Sequence, residues 1–151
     1  NDAKGFGFIT PQSASEAGTL VETIASLRPA GPDPVRVFAD LVVFLGATAA
    51  DARARKARLD DRLGAEYRSD AQVFVGTPEG LADLVQQLHA AGADGVRLRP
   101  AALPDDLRLI TESLTPELQR RGVFRDSYEA DTLRGLLRLP RPANRYAGAS
   151  R

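Results

Sequence analysis

Five consecutive large apolar residues, Leu41-Val42-Val43-Phe44-Leu45, constrain the fold more than any other feature of this chain. Side chains alternate between the two faces of a strand, so a run with no polar interruption has no face to offer to water. Such a run fits a strand covered on both sides, which is the environment of a parallel sheet. It ends a strand predicted over residues 35–45. Before it, Gly31-Pro32-Asp33-Pro34 reads as a turn, because each proline fixes its own φ and biases the preceding residue away from the α region.

Parallel strands need crossover helices, and the chain spells them. Thr77-Pro78-Glu79 predicts a helix start: the Thr hydroxyl accepts from a free N–H of the first turn, and Pro at the first position loses no bond by lacking its own N–H. Thr115-Pro116-Glu117 repeats the same wording and is predicted to open the last helical segment. Gly92 and Gly122 stand where these helices must be left, since glycine takes φ > 0 without a Cβ penalty. Leu81, Leu84, Val85, Leu88 and Ala91 recur at helical spacing, as do Leu107, Ile110, Leu114 and Leu118 in a helix from about Pro104. Between them Ala93-Asp94-Gly95-Val96-Arg97-Leu98-Arg99-Pro100 predicts a short strand over 95–99, stopped by proline.

The earlier chain repeats the rhythm. Gly5-Phe6-Gly7-Phe8-Ile9-Thr10 predicts a first strand, and Leu20, Ile24 and Leu27 give the next helix an apolar stripe ending near Pro29. Thr48 is the expected N-cap of a third helix, rich in Ala and Arg, with Asp51 and Arg55 spaced to pair. Residues 62–72 show no clear period, and Val73-Phe74-Val75 is a short strand or an extended lead-in to the Thr77 helix. Strand and helix alternating in this way is an α/β fold with a parallel sheet.

Composition narrows the chemistry. With 151 residues, 43% apolar and 26% charged, the chain is long enough for one domain with a core. It has no Cys, so no disulfide, thiol nucleophile or thiolate metal site, and its single His, His89, leaves metal ligation by imidazole nearly empty. No apolar run is long enough to span a bilayer, and a cytoplasmic location with no membrane partner is expected. The net charge of zero hides an asymmetry: residues 120–151 carry +5 and the rest −5. A basic tail suggests nucleic acid, but aromatics are sparse in it and the body is acidic, so packing on this subunit or a neighbouring one is expected, with no nucleic-acid binding.

Phe74-Val75-Gly76-Thr77-Pro78-Glu79, then the run from Ala91 to Pro100, then Leu103-Pro104-Asp105-Asp106-Leu107 resemble, in that order, the C-terminal region of luciferase-like flavin-dependent monooxygenases. Pro116-Glu117-Leu118-Gln119-Arg120-Arg121-Gly122 and the tail from Thr132-Leu133-Arg134 to Arg145-Tyr146 resemble more specifically the nitrilotriacetate monooxygenase branch. The resemblance implies a (β/α)8 TIM barrel that uses reduced FMN and O2 to oxygenate a small organic substrate, with the flavin supplied by a separate flavin reductase. A whole barrel takes about 250 residues. This chain is therefore expected to be a partial barrel: the last three parallel strands (5–10, 35–45 and 95–99) with their helices in residues 1–125, and a basic C-terminal tail in 126–151. A homo-oligomer is expected. The alternative is a non-catalytic half-barrel remnant that acts as a dimerisation or interaction module.

In a barrel the working residues sit at the C-terminal ends of strands. That places Thr10, Pro11 and Gln12 after the first strand, and Arg97 and Arg99 near the end of the last, on the expected rim of a flavin or substrate pocket. Two readings of the arginines stand: one faces the cavity and helps hold an anionic flavin or substrate, or it makes an internal ion pair with Asp94, Asp105 or Asp106. Gly5-x-Gly7-x-x-Thr10 is no phosphate cradle, since its glycines fall inside a strand; they suit close packing. His89 is expected to serve the helix end, and Asp105, Asp106, Glu112 and Glu117 to be solvated acids. No residue is assigned as catalytic acid or base, and none as a metal ligand.

Overall fold

A computed structural model of the chain describes residues 5–27 and 35–136. The Gly31-Pro32-Asp33-Pro34 turn, the helix end near Pro29 and the tail from Leu139 to Tyr146 lie outside those residues. The elements run β1 (Phe6–Ile9), α1 (Ala14–Leu27), β2 (Arg36–Leu45), α2 (Ala49–Leu63), β3 (Gln72–Gly76), α3 (Pro78–Ala90) and β4 (Gly95–Pro100). A composite helix follows, made of α4 (Asp105–Leu109), a π-helical turn (Ile110–Leu114) and α5 (Thr115–Arg120), and then a short α6 (Leu133–Leu136).

All strand pairings are parallel, and β2 makes every one of them. Its first half pairs with β1 (Phe6↔Arg36 to Ile9↔Ala39), its second half with β3 (Leu41↔Gln72 to Leu45↔Gly76). Residues 38–43 pair at the same time with β4, from Phe38↔Gly95 to Val43↔Pro100. A strand has two edges, so β1 and β3 must lie end to end along the edge opposite β4. The Gln72 N–H donates to the Pro11 carbonyl at 3.2 Å, joining them. Of the two readings of Val73-Phe74-Val75 the strand is the one found, so the described residues hold four parallel strands. β2 outruns β1 by half its length, and Val73-Phe74-Val75 docks as a strand on the backbone groups left over.

Crossovers between parallel strands are right-handed, so the direction of each step decides which face its helix covers. The steps β1→β2 and β3→β4 go one way; β2→β3 goes back. Accordingly α1 and α3 pack together on one face, with Val37, Ala39, Leu41, Val43 and Leu45 of β2 meeting Ile9, Ala17, Leu81, Ala82, Leu88 and Leu114 in the main core. Each large apolar side chain fully buried there contributes about 1.5–3 kcal/mol. From α2 that core receives no side chain. It covers the upper part of the opposite face, where Val42 and Phe44 are buried and the Phe44 ring meets Tyr67 edge-on at 5.8 Å. The double burial expected of the Leu41–Leu45 run is therefore present, with α2 over its upper part on the face away from α1 and α3.

Local signals explain most boundaries. The Thr48 and Thr77 hydroxyls accept from the N–H groups of Asp51 (3.1 Å) and Gly80 (3.3 Å), as capping predicts. Gly92 (φ 103°) and Gly122 (φ 70°) exit their helices in the left-handed region. Thr115-Pro116-Glu117 behaves differently from expectation. Thr115 is already helical, and its N–H reaches back five residues to the Ile110 carbonyl. Pro116 has no N–H for the usual bond to residue 112, and the wider turn before it carries the helix past that gap. Leu27 is exposed and is no part of the α1 stripe. A Cβ on Gly7 would meet no atom within 4 Å, so that glycine is not set there by close packing.

Candidate functional site

The C-terminal ends of β1 and β4 are tied together by the segment that leaves α2 and leads into β3. Gly64 (φ 76°) turns the chain out of α2, and residues 65–71 then cross the sheet face that carries Asp40, Val42 and Phe44. On the β1 side, Gln12 Nε2 donates to the Asp70 carbonyl at 2.8 Å, while buried Pro11 accepts from Gln72. On the β4 side, Arg99 Nη2 donates to Ser69 Oγ at 2.9 Å and to Asp70 Oδ1 at 2.7 Å. This bond to Arg99 and a second from Ser69 hold the Asp70 carboxyl below its ordinary range.

Next along the same face is Asp40, 1% exposed and the sole charged residue between Val37 and Leu45. Arg97, opposite it in register, grips it with two donors, Nε to Oδ1 at 2.8 Å and Nη2 to Oδ2. Such a fork is the strongest form of ion pair available to a carboxylate, and it raises the Arg97 pKa further. The Arg97 guanidinium also lies 4.0 Å over the Phe8 ring. Arg99 stands behind, its Nε 4.0 Å from Asp40 Oδ2, buried and without a hydrogen-bond partner. Below them Phe6, Phe8 and Phe38 form an aromatic cluster, in which Phe6 meets the other two edge-on while Phe8 and Phe38 lie tilted at 40°, with Phe6 67% and Phe8 44% exposed. A Cβ on Gly95 would come within 2.9 Å of the Phe38 ring, so only glycine lets that ring lie over β4.

Of the five residues expected on the rim, four enter this network: Pro11, Gln12, Arg97 and Arg99. Thr10 is exposed at the end of β1, one residue before the tie. The ion-pair partners differ from those expected. Asp94 pairs instead with Arg36 at 2.5 Å and accepts from the Val37 N–H at 2.8 Å. Asp106, expected in solvent, is fully buried and accepts from the Leu45 and Ala102 N–H groups, each at 2.8 Å, and from Arg55. The anticipated Asp51–Arg55 pair gives way to it, because a buried carboxylate needs a cation more than a solvated one does. Glu117 is held down to about 2 by Arg120 at the end of α5 and Arg121 just beyond it. Asp40, Ser69 and Asp70 were missed; a single acid inside an apolar strand was the available signal for Asp40.

Two hollows flank the network. A cleft of about 910 Å³ between α2 and the crossing segment is lined by Gln12, Lys56, Tyr67, Arg68 and Ser69 among others. A more apolar groove of about 840 Å³ lies along β4, between α3 and α5, bounded by Val85, Val96, Leu98, Leu118 and His89. The His89 Nδ1 is 3.0 Å from the Ala93 carbonyl, in the expected helix-end role. Among the described residues no group of three acids or histidines is placed to hold a metal ion, and no helix is long and apolar enough to cross a membrane.

No protein-family model matches the chain. It is 45% identical over 76 residues to the N-acetyl-S-(2-succino)cysteine monooxygenase of Bacillus subtilis, and 43% identical over 76 residues to nitrilotriacetate monooxygenase component A of Aminobacter aminovorans. Each match takes in 50% of this chain and 17% of the relative. The fold is shared with a crystal structure of a long-chain alkane monooxygenase: TM-score 0.67, 24% identity, 87% of this chain and 40% of that one. The chain therefore spans well under half the length of the solved enzyme.

Proposed function

We propose that this chain, a relative of the luciferase-like flavin-dependent monooxygenases, is the C-terminal portion of an enzyme that uses reduced FMN and O2 to oxygenate a small organic substrate. In this reading residues 1–125 are the closing part of a (β/α)8 barrel, with β1, β2 and β4 as its consecutive strands. Residues 126–151 are a tail packed on the domain or on a neighbouring subunit of a homo-oligomer. A separate flavin reductase supplies the flavin, and the cytoplasm is the site of action. The observation that carries the reading is the sheet face left without helices at Phe6 and Phe8, leading up to an arginine network at the strands' C-terminal ends. A barrel interior needs such a face, and barrel chemistry sits at that end.

The residues present fit one wall of a flavin pocket, and they do not make a whole one. Asp40 and Asp70 already answer Arg97 and Arg99, and the Gly5 and Gly7 pair lies at and in β1, away from any helix start that would receive a phosphate. Reduced flavin, when bound, supplies the activation of O2. The part left to this chain is to orient and to exclude water: Phe8 and Phe38 close the floor, and Gln12, Arg97 and Arg99 present polar groups at the rim. The two sequence relatives named above take their names from carboxylates, N-acetyl-S-(2-succino)cysteine and nitrilotriacetate, and the enzyme that shares the fold takes its name from an alkane; the two rim arginines suit the carboxylated class better.

A second reading, a non-catalytic module that pairs with another copy, draws on the same exposed phenylalanines and on β4, whose outer edge has no strand beside it among the described residues. The genomic frame upstream of Asn1 separates the two. An open frame encoding the remaining strands is the expected result. A stop codon there, with a stable flavin-free dimer of the chain by size-exclusion chromatography, would overturn the enzyme reading.

A further inference from the structure

We propose that the Arg99 guanidinium is the receptor for a carboxylate group of the substrate, and that the Asp70 carboxylate occupies its place in the structure described. The proposal rests on the reading that this sheet face lines a substrate pocket.

A guanidinium receives a free carboxylate best through two parallel bonds along its Nε–Nη2 edge. At Arg99 that edge is half used. Nη2 serves both Ser69 Oγ and Asp70 Oδ1, while Nε is buried and unpartnered, 4.0 Å from Asp40 Oδ2. A buried donor without an acceptor is a standing penalty that solvent does not relieve. Asp70 is poorly placed to remove it. Its carbonyl is held by Gln12 Nε2 at 2.8 Å, and the residue after next is held to Pro11, so its carboxylate approaches from a fixed direction.

An untethered carboxylate has no such restraint. It can span both nitrogens, and it competes against an aspartate that is itself 64% exposed and readily returned to water. The charge count favours the exchange. Asp40 commits both oxygens to Arg97 and stands only at ion-pair distance, 4.0 Å, from Arg99. Releasing Asp70 therefore leaves two guanidinium groups sharing one carboxylate, a net positive charge facing the vacated position. Segment 65–71 would loosen with it, because Arg99 is its tie to β4. Ser69 lines the cleft of about 910 Å³, which gives the incoming group a route.

Succinate, titrated by calorimetry onto the 151-residue chain and its Asp70→Asn and Arg99→Gln variants, tests this. Removing the internal competitor should tighten succinate binding in Asp70→Asn by roughly three- to fivefold, the scale of one half-exposed ion pair. Arg99→Gln should bind no succinate, and the uncharged analogue succinamide should bind none of the three. In the parent chain, succinate should also speed trypsin cleavage after Arg68 several-fold, with far-UV circular dichroism unchanged. Equal or weaker binding by Asp70→Asn, succinamide binding as well as succinate, or no succinate binding by any chain would overturn the proposal. None of these measurements involves flavin, so their failure leaves the monooxygenase reading to be decided by the upstream frame.

Discussion

The face of the sheet beneath α1 and α3 and the face opposite it are made by the same four strands, yet they are finished differently. Beneath the helices, the side chains of Val37, Ala39, Leu41, Val43 and Leu45 are at most 3% exposed and join one apolar cluster. On the opposite face the same strand presents Phe38, Asp40, Val42 and Phe44, of which the upper two are covered by α2 and the lower two look onto exposed phenylalanines and a half-exposed Arg97. The first face is complete within this chain. The second is complete only above Asp40, so whatever covers Phe6 and Phe8 in the working protein comes from outside the described residues.

Three substitutions would break or sharpen that contrast. Leu81→Ala, at 0% exposure under the first face, is expected to lower the unfolding free energy by about 2–5 kcal/mol in urea denaturation. A loss below about 1 kcal/mol would mean that this face is not the principal core. Asp40→Asn tests the boundary on the second face. It removes the charge and one of the two oxygens that Arg97 grips, and should cost about 1–3 kcal/mol by the same measurement. A neutral result would show that solvent already carries the arginines. Phe6→Ser should change stability by no more than about 0.5 kcal/mol in the isolated chain. A loss as large as that of Leu81→Ala would show the second face to be covered in solution, by another copy.

What could be read from the sequence divides along the same line. The first face was legible because its signals are local or periodic: a run of apolar residues in β2, Leu81 and Leu88 on the α3 stripe, Thr77 and Gly92 at its ends. The second face depends on meetings between residues far apart in the chain. Alternation along β4 puts Arg97 and Arg99 on one side, but their acceptors Asp40 and Asp70 are 57 and 29 residues away, a distance over which no spacing rule operates. Asp106 was misjudged for the same reason. Its partners Leu45 and Arg55 are 61 and 51 residues away, so a buried acid looks in sequence like any other acid in a helix's first turn. The backward step to β3 was equally hidden, since Val73-Phe74-Val75 becomes a strand only because β2 is longer than β1.

Asp40 also has a consequence for how the chain assembles. Side chains of a strand exchange faces when its pairing slips by one residue, and the apolar residues of β2 would resist the change little, since Val37, Leu41, Val43 and Leu45 on one face and Phe38, Val42 and Phe44 on the other are all apolar. The carboxylate would resist it strongly. A slip would push it in among Leu81 and Leu88 and part it from the Arg97 fork, making the misaligned sheet far less stable than the native one. One acid in an otherwise greasy strand thus acts as a key that admits a single alignment of the four strands.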